Sequence, residues 1–253
     1  MYNVNRKKDF MAVRLPKKIE KCPIIEAVVE IRFSSDLPSD AVFGVIYKAF
    51  QSDFPTKPLS LPILQIPETI RSQDPNLIFK PHHQLVKDNI VFQIGPRVMS
   101  LANKLDYMGW TKFSKVIKSY FERIISLGII TNIERFGLRY INFFSTNDIF
   151  DKIKLKVTNN EKPFINKNLF LKSVIESGGF TNTLQISDNA SCKKNDKTEE
   201  GSVIDIDTYC DSPKAKKSED LFDLVEKAHF EEKSLFFELL TEKFIASLTP
   251  IYE

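Results

Sequence analysis

The chain has 253 residues, of which 42% are hydrophobic and 27% charged, a composition typical of a globular protein with a sizeable core. Its 36 lysines and arginines against 33 acidic residues leave a formal net charge of +3, which does not indicate a dedicated nucleic-acid binder, although local basic clusters could still bind phosphate. The three cysteines, Cys22, Cys192 and Cys210, do not have the spacing of a disulfide framework or a zinc site, and no apolar run approaches the roughly 18 residues of a membrane span.

A basic lead-in and an alternating strand open the chain. Residues 1–21 are rich in lysine and arginine and have no apolar segment of the signal-peptide type, so a reduced, cytoplasmic protein is expected. Residues 22–33 then read C-P-I-I-E-A-V-V-E-I-R-F. This period-two pattern predicts a strand whose buried face carries Ile25, Ala27, Val29, Ile31 and Phe33, and whose other face carries Glu26, Glu30 and Arg32.

Three further elements are predicted before residue 128. A helix with an apolar stripe is expected to start at Pro38 and Ser39, where Ser39 can cap it and Asp40 sits favourably at its positive end. Residues 77–79 and 90–101 read as a hairpin, with a bulge at Gly95 and Pro96 inside the second strand. An amphipathic helix then follows Gly109 and ends before residue 128.

The second half of the chain begins with a similar strand. Residues 133–144 read I-E-R-F-G-L-R-Y-I-N-F-F, with Phe136, Leu138 and Tyr140 on one face and Arg135, Gly137 and Arg139 on the other. A short helix at 148–153 and strands at 169–176, 180–187 and 203–209 are expected next. The polar residues 188–202 predict a loop, and a long helix is expected from Ser218 to about Leu248.

The order of these elements predicts an α+β fold with an extended antiparallel sheet and packed helices. It also suggests two repeated β-α-β-β-β-α units, one at 22–128 and one at 129–253, after the lead-in at 1–21. The same offset separates Glu26 from Glu134 as separates the starts of the two amphipathic helices, at Thr111 and Glu219. Chance agreement between α+β elements is the alternative, because few residues are identical between the halves.

Several segments together resemble a sporadically distributed family of uncharacterised prokaryotic proteins. That resemblance implies no activity, cofactor or site residue, since the family has no agreed function. Its patchy distribution is similar to that of genes on mobile or defence islands, which is an association and not a mechanism. The matching segments are P-I-I-E-A-V-V-E-I-R-F at 23–33, G-P-R-V-M-S at 95–100, Tyr107-x-x-Trp110-x-x-Phe113, R-F-G-L-R-Y-I-N at 135–142, I-D-I-D at 204–207, Ala228-His229, Phe236-Phe237 and Thr241-Glu242.

Charged residues on the less apolar strand faces form the first candidate site. In one interpretation they are solvated or covered and pair across the sheet. In the other they bind an anion or a peptide, since arginine recognises carboxylate and phosphate groups well. The residues of this candidate binding site are Arg32, Arg97, Arg135, Arg139, Glu26 and Glu30.

Two alternative sites belong to other classes of protein. A basic outer helix face made by Lys112, Lys115, Lys118 and Arg123 would suit nucleic acid, or it is an ordinary solvated face. Asp205 and Asp207 alternate on one strand, as two metal-binding carboxylates of a nuclease do, with Glu176 and Lys172 as the candidate partners. The usual acid–lysine spacing is absent, so outward-facing solvent acids are the favoured interpretation.

The sequence therefore predicts no catalytic residues, no metal site and no cofactor. Three histidines, His82, His83 and His229, have no companion ligand motif, and the nucleotide-binding and hydrolase motifs are missing. The leading hypothesis is a non-enzymatic binding or accessory protein, a sensor or partner subunit of a prokaryotic defence or mobile-element system. A protein partner, a homo-oligomer and nucleic acid are the expected kinds of partner, and a membrane is not; a nucleic-acid-binding module and a metal-dependent nuclease are the alternatives.

Overall fold

The computed structural model describes residues 15–160, 162–163, 168–194, 197–215 and 217–252. The strands are β1 (Lys18–Ile19), β2 (Ile24–Ser34), β3 (Leu59–Ser60), β4 (His83–Lys87), β5 (Ile90–Ile94), β6 (Val98–Lys104), β7 (Asn132–Phe144), β8 (Thr158–Asn159), β9 (Lys162–Pro163), β10 (Phe170–Ser177), β11 (Phe180–Lys194), β12 (Lys197–Asp211) and β13 (Pro250–Ile251). The helices are α1 (Ser39–Phe50), α2 (Glu68–Arg71), α3 (Trp110–Ser126), α4 (Ile149–Lys152), α5 (Ser218–Leu239) and α6 (Glu242–Ser247), with 3-10 turns at Gln51–Asp53 and Pro62–Gln65.

One large antiparallel sheet organises the molecule and confirms the predicted α+β class. Its nine strands run in the order β10-β11-β12-β7-β2-β6-β5-β4-β3, and every neighbouring pair is antiparallel. Two-stranded ribbons, β1 with β13 and β8 with β9, lie outside this sheet. The β1–β13 pair joins the segment that precedes β2 to the end of the chain.

The apolar sides of the strands pack against α1, α3 and α5. Alternation in β2 buries Ala27, Val29, Ile31 and Phe33, as the sequence predicts, although Ile25 is only half-buried next to a bulge. In α3 the buried side chains recur at helical spacing, from Phe113 through Ile117 to Ile124, and join the same core. A second core forms around Phe144, Ile204 and Phe236.

The strand order is the same on both sides of the central β2–β7 pair. Moving outwards, β6, β5 and β4 follow β2, while β12, β11 and β10 follow β7. The pairing registers also correspond. Val29 of β2 pairs with Leu101, and Gly137 of β7 pairs with Tyr209. The second pair follows the first by the same offset that separates Glu26 from Glu134. Internal duplication of the chain stays a prediction, and the matching strand order and register are consistent with it.

Three of the predicted elements are wrong in their bounds. Residues 77–79 are turns, and residues 90–101 are two strands joined by a tight turn in which Gly95 N donates to Val98 O at 2.8 Å. Residues 188–194 and 197–202 continue the β11–β12 ribbon rather than form a loop, since cross-strand pairs run on to Lys194 opposite Lys197. The last helix breaks at Leu240, because Thr241 caps a separate helix by accepting a bond from Phe244 N.

Two further points concern the chain as a whole. Residues 1–14 of the predicted basic lead-in lie outside the described residues. Among the helices that the structure describes, none is long and apolar enough to cross a membrane.

Candidate functional site

The charged residues predicted as a binding site lie on the sheet face that points away from α1, α3 and α5, which we call the polar sheet face. Arg135 and Arg139 of β7 point the same way as Glu26, Glu30 and Arg32 of the neighbouring β2. Arg97 joins them from the β5–β6 turn, at the end of β2 where a bulge displaces Glu134. The structure therefore brings all six predicted residues to one surface.

Each of the four arginines on this surface already forms an ion pair. Arg139 makes two bonds to Asp205, Nε–Oδ1 at 2.8 Å and Nη2–Oδ2 at 2.6 Å, and Arg135 Nη2 lies 3.1 Å from Asp207 Oδ2. Arg32 Nε bonds Glu30 at 2.9 Å, and Arg97 bonds Glu134. The carboxylates already balance the charge of these guanidinium groups, so the geometry favours ion pairing on the sheet over an anion site.

Asp205 and Asp207, the pair considered for a metal-dependent nuclease, are the acidic partners of these arginines. Both lie on β12, and burial raises the pKa of Asp207 despite the nearby guanidinium groups of Arg135 and Arg139. Lys172 lies two strands away from Asp205, across β11. Among the described residues, no group of three or more histidine, cysteine, aspartate or glutamate side chains has the geometry to hold a metal ion.

The basic face of α3 is only partly available to a nucleic acid. Lys112, Lys115 and Lys118 are exposed. Arg123 instead pairs with Asp53 and lies over the Phe50 ring at 4.6 Å, and Lys118 lies 5.4 Å from the ring centre of Phe222. Two of the four predicted residues are thus engaged within the protein.

A cavity of about 340 Å³ lies elsewhere, between α5, β7, the start of α3 and the segment that leads into β2; we call it the Glu232 cavity. Its volume falls in the lower part of the range found for small-molecule sites. Aromatic rings contribute much of its wall. The residues that line it include Cys22, Ile24, Tyr107, Trp110, Tyr140, Asn142, His229, Glu232, Lys233, Phe236 and Phe237.

Glu232 is the most unusual of these side chains. It projects from the apolar stripe of α5, one turn after Ala228 and one turn before Phe236, and its residue is only 5% exposed. Among the residues that the structure describes, none forms a hydrogen bond or a salt bridge with its carboxyl group. Burial raises the pKa of Glu232 to about 8, and the charge of Lys233 offsets this only in part.

Tyr107, Tyr140 and His229 form an uncharged polar network at the cavity wall. Tyr140 is fully buried, and its hydroxyl lies 3.3 Å from both the Tyr107 hydroxyl and His229 Nδ1. The His229 ring stacks on Trp110 with centroids 3.7 Å apart. Burial lowers the pKa of His229 to about 3, so this imidazole stays neutral at physiological pH.

The sequence contains one signal for this cavity, a charged residue on an otherwise apolar helix stripe. Glu232 falls at helical spacing from Val225, Ala228 and Phe236, where an apolar residue is expected, and a charged residue on a buried stripe marks a group that needs a partner. Sequence reasoning treated His229 as a partly buried helix residue, and it is indeed half-buried. Its contact with Trp110 joins residues more than a hundred positions apart.

Neither the models of protein families nor the curated proteins include a match to this chain.

Proposed function

We propose that this protein is a non-enzymatic binding protein that recognises a small organic molecule in the Glu232 cavity. The observation that carries the proposal is the buried carboxyl group of Glu232, which lines a cavity and has no hydrogen-bond partner among the described residues. Leaving such a group unpaired costs free energy, and a ligand in the cavity would supply the missing partner. Convergent polar groups with shifted pKa values in an aromatic cavity are typical of a ligand site.

Two of the reactive side chains around the cavity, Cys22 and His229, are poorly suited to catalysis. Desolvation raises the pKa of the Cys22 thiol, against a smaller opposite effect of a backbone hydrogen bond at Ile24, whereas a nucleophilic cysteine needs a lowered pKa. The low pKa of His229 makes its imidazole a weak base, far from the near-neutral value that suits general acid–base chemistry. A role in holding and reporting a ligand is consistent with both shifts.

We further propose that the protein acts as a cytoplasmic sensor or partner subunit in a prokaryotic defence or mobile-element system. This part rests on the family resemblance, and several segments that carry the resemblance also supply walls of the cavity. Tyr107 and Trp110 come from one of these segments, Tyr140 from another and His229 from a third. Purification of the tagged protein from its native host, with and without phage challenge, tests this role; a protein recovered only as a free monomer under both conditions contradicts it.

Ligand binding has a direct spectroscopic readout. Trp110 is the sole tryptophan of the sequence and lines the cavity, so its fluorescence reports on occupancy. Small molecules of cationic, neutral and anionic classes are titrated against the full chain, and native mass spectrometry checks for one bound molecule per chain. We expect at least one class to give a saturable change in Trp110 fluorescence, together with a mass shift of one bound molecule per chain. A failure of all three classes in both measurements overturns the proposed binding function.

A further inference from the structure

We propose that the Glu232 cavity selects an organic cation, whose charged nitrogen pairs with the Glu232 carboxylate while its apolar body lies among the aromatic rings. This inference rests on the proposed binding function and deepens it, because it names the chemical class of the ligand. Three features of the cavity support it: the carboxyl group, the aromatic wall and the positions of the protein's own cations.

The carboxyl group provides the complementary charge. Glu232 is held at the cavity wall by a continuous helix, with the buried side chains of Ala228 and Phe236 one turn away on either side. A buried carboxylate is stable only when it is paired and hydrogen-bonded. A ligand with a positively charged N–H group supplies both the charge and the donor in one contact.

The aromatic wall suits the same kind of ligand. Trp110, Tyr107 and Tyr140 all line the cavity, and the Tyr107 and Tyr140 rings meet edge to face at 90° with centroids 5.8 Å apart. The faces of such rings carry negative electrostatic potential and attract cations, most strongly when water is excluded. A cation therefore finds two complementary features in the cavity, the aromatic wall and the Glu232 carboxyl group.

The lysines near the cavity leave the carboxyl group open to a ligand. Lys233 follows Glu232 in α5, yet no ion pair between the two side chains is present in the part of the chain that the structure describes. Desolvation lowers the pKa of Lys233, with an opposite contribution from Glu232. Lys17 and Lys18 line the cavity from the segment before β2, but both residues are exposed to solvent.

The ligand class predicts a specific dependence on pH. Because the pKa of Glu232 is raised to about 8, a cation binds best when this carboxyl group has lost its proton, and binding at lower pH must release it. The affinity for a permanently charged ligand should rise nearly tenfold per pH unit between about pH 6 and pH 7 and level off above about pH 8. The titratable groups that face the carboxyl group from the surrounding elements are Lys233 and His229 of α5, Tyr140 of β7, Tyr107 before α3, and Lys17, Lys18, Glu20 and Cys22 of the leading segment.

Three probes of nearly equal size and shape separate the possible classes. Benzamidine is a cation with paired N–H donors, benzamide is its neutral analogue and benzoate its anionic one. Each is titrated against the full chain by calorimetry and Trp110 fluorescence. We expect benzamidine to bind at least about tenfold more tightly than benzamide, and benzoate to bind weakest, as expected for a charge-assisted pair with a carboxylate on a residue that is nearly buried.

Two matched substitutions locate the charge. Glu232→Gln keeps the size of the side chain and removes its ionisation, so it should lower the affinity for benzamidine about tenfold or more and leave benzamide unchanged or improved. Glu238→Gln makes the same chemical change at an exposed site of the same helix and should leave all three affinities unchanged. An equal loss in both variants, or no loss in Glu232→Gln, overturns the inference.

A measurement on the wild-type chain alone keeps the test decisive if Glu232→Gln does not fold. Calorimetry of benzamidine near pH 7 in buffers of different ionisation enthalpy should show release of close to one proton per bound ligand, about 0.9 for a group with this pKa. No proton release overturns the cation inference. Tighter binding of benzamide or benzoate at Trp110 also overturns it while the binding function stands, whereas failure of every ligand class contradicts the binding function itself.

Discussion

At the scale of single residues, Glu232 couples the stability of the fold to pH. Its folded-state pKa of about 8 exceeds the ordinary value of 4.5, so between these values the folded chain keeps a proton that the unfolded chain has lost. The unfolding free energy from this group therefore falls as pH rises, by about 1.4 kcal/mol per unit. His229 and His82, whose pKa values are lowered to about 3 and about 4, act in the opposite sense below pH 6.5.

Replacing Glu232 by glutamine should remove this dependence. From about pH 6.5 to pH 7.5 the unfolding free energy of wild type should fall by about 1 kcal/mol or more relative to that of Glu232→Gln. Both proteins contain the same histidines, so the contributions of His82 and His229 cancel in this comparison. Urea unfolding of both proteins at the two pH values measures this fall, with Glu238→Gln as the exposed control. A difference between Glu232→Gln and wild type that does not change with pH would show that this carboxyl group titrates normally.

At the scale of elements, two glycines differ in the space that their surroundings leave for a side chain. Gly44 lies within α1, and a Cβ atom there would meet no atom within 4 Å. Gly201 lies in β12, where a Cβ atom would contact the Phe144 carbonyl oxygen and lie 2.8 Å from Phe143 Cζ. The backbone of β7 therefore approaches β12 closely at Gly201, where the β11–β12 ribbon leaves the main sheet.

Alanine at these two positions should have opposite effects. Gly44→Ala should raise the unfolding free energy by about 0.5–1 kcal/mol, because alanine loses less backbone entropy in a helix. Gly201→Ala should lower it by about 1–3 kcal/mol, because the backbone of Phe144 must shift to admit the methyl group. Denaturant unfolding of the two variants beside wild type measures both, and a neutral Gly201→Ala would mean that the ribbon moves at little cost.

At the scale of the whole molecule, α5 and β7 connect the two cores. The first turns of α5 contribute Leu221 and Val225 to one core, and its last turns contribute Phe236 and Leu239 to the other. Along β7, Leu138 belongs to the first core and Phe144 to the second. Neither core can lose its packing without disturbing an element that the other core also needs.

We therefore expect both cores to unfold together. Trp110 reports on the first core, and Phe244→Trp in a Trp110→Phe background places a probe against Phe144 in the second. Urea unfolding of each protein is followed by both fluorescence and circular dichroism. Within each protein the two transitions should coincide, even if the two proteins differ in global stability. A fluorescence midpoint well separated from the dichroism midpoint in either protein would show that the cores unfold independently.

The sequence predicted the strands and helices well where one face is buried, and less well elsewhere. Alternation placed Val29 and Ile31 in the core correctly, because period-two patterning follows from the geometry of a strand. Residues 188–202 were expected to be a loop because they are polar, yet backbone hydrogen bonds hold the ribbon without an apolar face. The break at Thr241 was missed because the apolar stripe resumes beyond the capping residue.

By itself the sequence determined the α+β class and the faces of β2 and β7, since these depend on local spacing along the chain. Only the tertiary structure decided how the charges are used. It paired Arg139 with Asp205, which are far apart in sequence, and it left Glu232 in a cavity beside Trp110 and Tyr140. The physical reason is that burial and pairing depend on which distant segments meet, and local spacing along the chain does not specify those meetings.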